Sequence, residues 1–196
     1  MDCSTEEITR LLKAAGAGDS AAEERLLRAV YSELRQMAQS WMVGTPPGQT
    51  IQPTALVHEA FIRMAGNNGD GWENRGHFFF AASRAMRDIL VDRARAKAAL
   101  KRGGGRRRID LEKLVVATDA TDEDLLDLDA ALGRFESMFP WEHRLVMLRF
   151  FAGLTNEETA QVMAAPLRTI ERDLRFARAW LVDVLLVENK NAESSS

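Results

Sequence analysis

A chain of 196 residues with 46% hydrophobic content can bury one core or two small ones, and its formal charge of −3 excludes a uniformly basic nucleic-acid binder. Cys3 is the only cysteine, so no internal disulfide forms; neither a signal peptide nor an apolar run long enough to span a bilayer is present, and a cytoplasmic protein with no membrane partner is expected. Proline is sparse, β-branched alternation is absent and almost every apolar cluster repeats at 3.6 residues, so the fold class is all-α.

The first helix is predicted to start at Ser4, with Glu7 completing a capping box, to bury Ile8, Leu11 and Leu12, and to stop by Gly16 to Gly18. A second starts at Ser20 with Glu23 and carries a long apolar stripe of Leu26, Leu27, Val30, Tyr31, Leu34, Met37, Ala38 and Trp41. After a loop from Gly44 to Pro53, a third helix runs from Thr54 to Ala65, with Leu56, Val57, Ala60, Phe61 and Met64. Leu56 and Phe61 fall off the side shared by Val57, Ala60 and Met64, which leaves apolar residues for a partner unless the helix is buried all round. Gly66 to Gly76 is a polar, glycine-rich turn with one aromatic, Trp72.

A fourth helix begins near His77, apolar at first and increasingly basic toward Arg102, and ends at Gly103-Gly104-Gly105. From Arg84 to Arg108 ten Lys or Arg stand against Asp88 and Asp92, a net +8; from Ile109 to Ala130 eight acids stand against Lys113, a net −7. The small total charge therefore hides a basic block beside an acidic one. The glycines and the charge run suggest a flexible connector over residues 103–124. Such a connector allows the acidic tract to fold back over the basic one; a solvated linker is the simpler alternative.

A second helical unit resumes near Leu125 and continues through Leu132, Phe135, Trp141, Leu145, Leu148 and Phe151 into the most informative stretch, GLTNEETAQVMAAPLRTIERDLRFARAWL from Gly153 to Leu181. Thr155 and Glu158 form a capping box, Ala164 and Ala165 are small enough for a close crossing, and Pro166 suits the start of a new helix. In that helix Ile170, Leu174, Ala177 and Leu181 share one face, while Arg168, Arg172 and Arg175 cluster half a turn away at about 100° per residue. This is the build of a helix-turn-helix whose second helix enters a DNA groove. Thr169 and Glu171 stand near its start, within reach of base edges; Arg178 suits phosphate or solvent. Residues 189–196 look frayed.

At these residues the chain resembles the extracytoplasmic function family of bacterial sigma factors, over nearly its whole length. PTALVHEAFIRM (Pro53 to Met64) is similar to the region 2 helix that docks on the β′ clamp helices of RNA polymerase. FFFAASRAMRDILVDRARAKAALKRGGG (Phe78 to Gly105) is similar to the helix that opens and contacts the −10 element. RLVMLRFFAGLTNEETAQVM followed by RTIERDLRFARAWL is similar to region 4, which reads the −35 element and docks on the β flap. Ala55, His58 and Pro166 depart from the commoner acidic residue, glutamine and serine of the family.

The resemblance implies a transcription initiation factor built of a region 2 domain (1–102), the linker (103–124), a region 4 domain (125–188) and a tail (189–196). It implies core polymerase and promoter DNA as partners, with an anti-sigma factor as a further candidate. Polymerase-binding residues are then Leu56, His58, Glu59, Phe61, Ile62 and Arg63. In region 2 the melted strand falls to Trp72, Asn74 and Arg75 and to Arg84, Arg87 and Arg93; Phe78 to Phe80 are chiefly core. The alternative is a sigma-like adaptor that binds a regulatory partner instead of promoter DNA. A dimeric repressor leaves the helix at Thr54 to Ala65 unexplained.

No catalytic constellation is found. His58-Glu59 is followed by Ile62 where a zinc protease needs its second histidine, His77 and His143 have no ligand spacing around them, and the glycine clusters follow helices and lack a P-loop lysine. The acids of 119–129 lack the glycine and terminal glutamate of an EF-hand. No cofactor or metal is expected.

Overall fold

The computed structural model describes residues 5–42, 51–66, 72, 74–100 and 122–193, and every regular element among them is helical. The first half holds α1 (Thr5–Gly16), α2 (Ser20–Met42), α3 (Pro53–Gly66) and α4 (Arg75–Leu100). The second holds α5 (Asp122–Met138), α6 (Pro140–Val146), a single π-helical turn (Met147–Phe151), α7 (Asn156–Met163) and α8 (Leu167–Glu193). The fold is all-α, as the apolar periodicity requires.

Two helix starts differ from expectation for reasons of capping. Asp19 Oδ1 accepts from the backbone N–H of both Ala21 and Ala22, so the cap of α2 is Asp19 and Ser20 lies inside the first turn. Asn74 Oδ1 accepts from the N–H of His77, which sets the start of α4 at Arg75 rather than His77. The Ser4 cap lies outside the described residues, as do residues 101–121, most of the expected linker. Asp122 to Asp124, placed at the end of that linker, form the acidic first turn of α5, where carboxylates meet the positive end of the helix dipole. α8 runs to Glu193, into the segment expected to fray.

The buried stripes are those the periodicity marks. Ile8, Leu11 and Leu12 of α1 and Leu26, Val30, Leu34, Met37 and Ala38 of α2 are all buried in one core; Leu27 and Tyr31 lie half-buried at its edge. Burying each large aliphatic side chain contributes about 1.5–3 kcal/mol. The two halves do not stand apart. One cluster of buried side chains runs through both, and Trp41 of α2 stacks on Phe151 of the π turn with centroids 4.0 Å apart. Gly76 at the start of α4 faces Val162 of α7 so closely that a Cβ there would lie 2.1 Å from Val162 Cγ1. Only the absence of a side chain allows this crossing.

Candidate nucleic-acid interface

The helix-turn-helix forms as the sequence requires. Thr155 Oγ1 accepts from Glu158 N at 3.1 Å and Glu158 Oε2 accepts from Thr155 N at 2.8 Å, the reciprocal capping box that fixes the start of α7. α7 ends on Ala164, which adopts the left-handed region at φ 49°. Pro166 stands just before α8, and its carbonyl accepts from Thr169 and Ile170, tying the turn to the new helix. In α8, Ile170, Leu174, Ala177 and Leu181 are buried, whereas Arg168, Arg172, Arg175 and Arg178 are exposed. Thr169 and Glu171 flank the arginine face, half-buried.

Arg172 is held in place. Its Nε donates to Asp173 Oδ1 at 2.8 Å, which also raises its pKa further, and Asp173 Oδ2 accepts from Trp141 Nε1 at 3.3 Å. The indole of α6 thus orients the buried carboxylate that orients the guanidinium. Sequence reasoning missed this relay because Trp141 and Asp173 are 32 residues apart.

The surface of α3 divides sharply. Leu56, Val57, Ala60 and Met64 are buried, Phe61 is half-buried, and His58, Glu59, Ile62 and Arg63 are exposed, Ile62 at 71%. Of the residues expected to meet polymerase, Leu56 is a core residue with no exposed surface; with Val57, Ala60 and Met64 it lies on the buried side of α3, which packs on α2 and α4. Glu59 pairs with Arg93 at 2.8 Å and Arg63 with Asp92 at 3.2 Å, so both charges on this face are tied across to α4.

The expected strand-melting residues divide as well. Trp72 is 5% exposed and sits edge-on to Phe78 at 5.2 Å, against buried Phe78 and Phe79. Asn74 is the cap of α4. Arg75 lies over the Phe79 ring at 4.9 Å and pairs with Glu33 at 2.9 Å and Glu158 at 3.7 Å, which links α4 to α2 and α7. These three therefore build the first half and its junction with the second. Beside them a cleft of about 320 Å³ opens between α3 and α4, lined by Arg63, Met64, Trp72, His77, Arg84 and Asp88 among others. Arg84, Arg87 and Arg93 are all engaged, with Glu136, with Asp88 and Asp129, and with Glu59 respectively.

The ECF sigma factor family model matches residues 5–187. The chain belongs to the ECF sigma factor family. No curated protein and no solved structure is matched by the sequence. As an ECF sigma factor the protein is a transcription initiation factor that works with core RNA polymerase on promoter DNA, in a family that is not enzymatic. No group of His, Cys, Asp and Glu that would hold a metal ion occurs among the described residues, and no described helix is long and apolar enough to cross a membrane. His143 is a packing residue. It is 2% exposed, edge-on to Phe80, and its pKa is lowered to about 4. Burial is the main cause; Glu136 opposes it, and Arg87 and Arg84 add to it.

Proposed function

We propose that this sigma factor docks on the β′ clamp helices through the exposed side of α3 and reads the −35 element with α8. In this reading α4 and the cleft beside it open the −10 element. The observation that carries it is the opposition of faces on α8: a buried apolar stripe on one side of a capped helix-turn-helix, and Arg168, Arg172 and Arg175 on the other. Phosphate contacts from these arginines position the helix, and Thr169 and Glu171 meet base edges near its start. On α3, Ile62 is a large apolar side chain in water between His58, Glu59 and Arg63, an arrangement suited to a protein partner with an apolar centre and a charged rim. The cleft lined by Trp72 and Arg84 has room for an unstacked base beside an aromatic wall and a cation. Exposed Met138, Trp141 and Phe176 on the second half offer apolar surface to the β flap or to an anti-sigma factor.

The test is transcription with reconstituted holoenzyme from a library of DNA fragments, alongside capture of core polymerase. The parent protein is expected to form holoenzyme and start at a subset of fragments that share upstream and downstream elements. Ile62→Asp is expected to lose at least about tenfold in polymerase affinity, the equivalent of roughly 1.4 kcal/mol, with unchanged helicity. A chain that captures polymerase yet starts at no fragment is the sigma-like adaptor instead, and equal capture by parent and Ile62→Asp removes α3 as the docking face.

A further inference from the structure

The basic side of α4 is the part of the proposed nucleic-acid surface that another part of this chain already occupies. On α5 the acids Asp122, Asp129 and Glu136 recur every seven residues, which places them on one side at intervals of about 10.5 Å. Each meets a cation of α4, in antiparallel order: Asp122 pairs with Lys97, Asp129 with Arg95 at 3.0 Å and with Arg87 at 3.4 Å, and Glu136 with Arg84 at 3.2 Å. Asp129 is the centre of this ladder. Arg87 is 7% exposed, and its Nε and Nη1 have carboxylates near but no hydrogen-bond partner. A buried guanidinium compensated by charge with so little directed bonding depends heavily on each carboxylate beside it. Two uncharged contacts fix the same arrangement, the Trp41–Phe151 stack and the Gly76–Val162 crossing.

We infer that the free protein is self-inhibited: the acidic stripe of α5 occupies the α4 cations that otherwise hold nucleic-acid phosphates, and the two halves must part before α4 binds DNA. The inference rests on the reading of α4 as a nucleic-acid surface. The exposed face of α3 lies outside this contact, so polymerase has a landing site on the closed form while DNA has only α8. Binding that requires the halves apart then draws the equilibrium toward the open form, and the apparent DNA affinity of the free protein is its intrinsic affinity multiplied by the open fraction.

The experiment compares three full-length proteins without polymerase: the parent, the triple variant Asp122→Asn, Asp129→Asn, Glu136→Gln, and Gly76→Ala. The probe is a labelled forked duplex carrying a single-stranded −10 segment chosen from the transcription test, at low salt. Gly76 lies within a helix, where alanine is the better former, but its new Cβ collides with Val162 and so opposes closure without altering any charge. If fewer than about one molecule in ten is open, both variants are expected to bind at least about tenfold tighter than the parent, with a larger radius of gyration by small-angle scattering. The gain of the triple variant is expected to fade as salt screens the ladder. A gain in the triple variant alone is a general effect of charge and overturns the inference, as does equal binding by all three. A parent that directs polymerase to promoters while the variants show no gain overturns self-inhibition and leaves the proposed function standing. A parent that directs no transcription overturns the function itself.

Discussion

Two helices of this sigma factor present arginines at helical spacing, α4 and α8, and the structure treats them in opposite ways. On α8 the arginine side is turned to solvent, and Arg172 is braced by an aspartate of its own helix. On α4, Arg84, Arg87, Arg93 and Arg95 are all engaged with carboxylates of α3, α5 or α4 itself. The difference lies in what stands opposite. α8 packs by its apolar stripe on α5, α6 and α7, and among the described residues its arginine side stays exposed. α4 lies at the centre of the molecule, against helices of both halves. A basic helix face is therefore a surface only when the chain leaves it one, and on α4 the proposed DNA-binding face is the one that the second half of the protein covers.

The largest effect is expected from acid. His143 lies on the covered side, against Phe80 of α4 and near Arg84, Arg87 and Glu136, and its folded pKa of about 4 is below the ordinary 6.5. The unfolded chain binds this proton at a higher pH than the folded one does. Stability therefore falls as pH drops from 6.5 toward 4, and is fully present above 6.5. For one group the loss is about 2 kcal/mol at pH 5 and about 3 kcal/mol near pH 4. Urea denaturation of the parent and of His143→Gln across this range measures it: the parent is expected to lose more stability than the variant by that difference. Equal slopes would show that His143 does not resist protonation.

On the open side the expected effects are smaller and are read in binding. Where Arg168 or Arg175 meets a guanine edge, alanine costs about 1–3 kcal/mol at that base and relaxes specificity there. Where it meets phosphate, alanine weakens all sequences alike and lowers the salt slope by about one. Both side chains are exposed, so neither variant is expected to lose helicity, and holoenzyme binding to upstream variants at several salt concentrations separates the two roles. Arg172→Ala differs from them because it also releases buried Asp173; its effect on stability is expected to exceed theirs, and equal stability among the three would show the relay through Trp141 to be inert.

The contrast between the helices also marks where sequence reading works. The face of α8 was legible because burial and exposure there follow from spacing within one helix, and the Thr155–Glu158 box because its partners are three residues apart. Pairing across the fold was not. Charge segregation indicated that an acidic tract faces a basic one, yet Arg93 pairs with Glu59 and not with that tract, while Glu136, beyond the tract, pairs with Arg84. Trp72, Asn74 and Arg75 looked like loop residues free for DNA; an aromatic beside two polar residues gives no sign that one fills a core, one caps a helix and one ties three helices together. Gly76 gave no signal either, since its requirement comes from Val162, 86 positions away.

The smallest effect is expected at the turn that leads into α8. Ala164 is the one described residue other than glycine with positive φ, 49°, and its backbone N–H reaches Gln161 O at a long 3.3 Å while Ala165 N bonds Ala160 O at 3.0 Å. An L-residue with a Cβ costs roughly 1–2 kcal/mol in this conformation, and glycine removes that cost. Glycine also leaves the unfolded chain freer, which offsets about 0.4–1 kcal/mol of the gain. Ala164→Gly is therefore expected to stabilise the protein by roughly 0.5–1 kcal/mol in urea denaturation, without shifting α8 or its preference among upstream sequences. α4 has no comparable turn, and its arginines depend on contacts with a distant helix. Loss of sequence preference in Ala164→Gly with stability intact would mean that the strained alanine itself sets the angle at which α8 meets DNA.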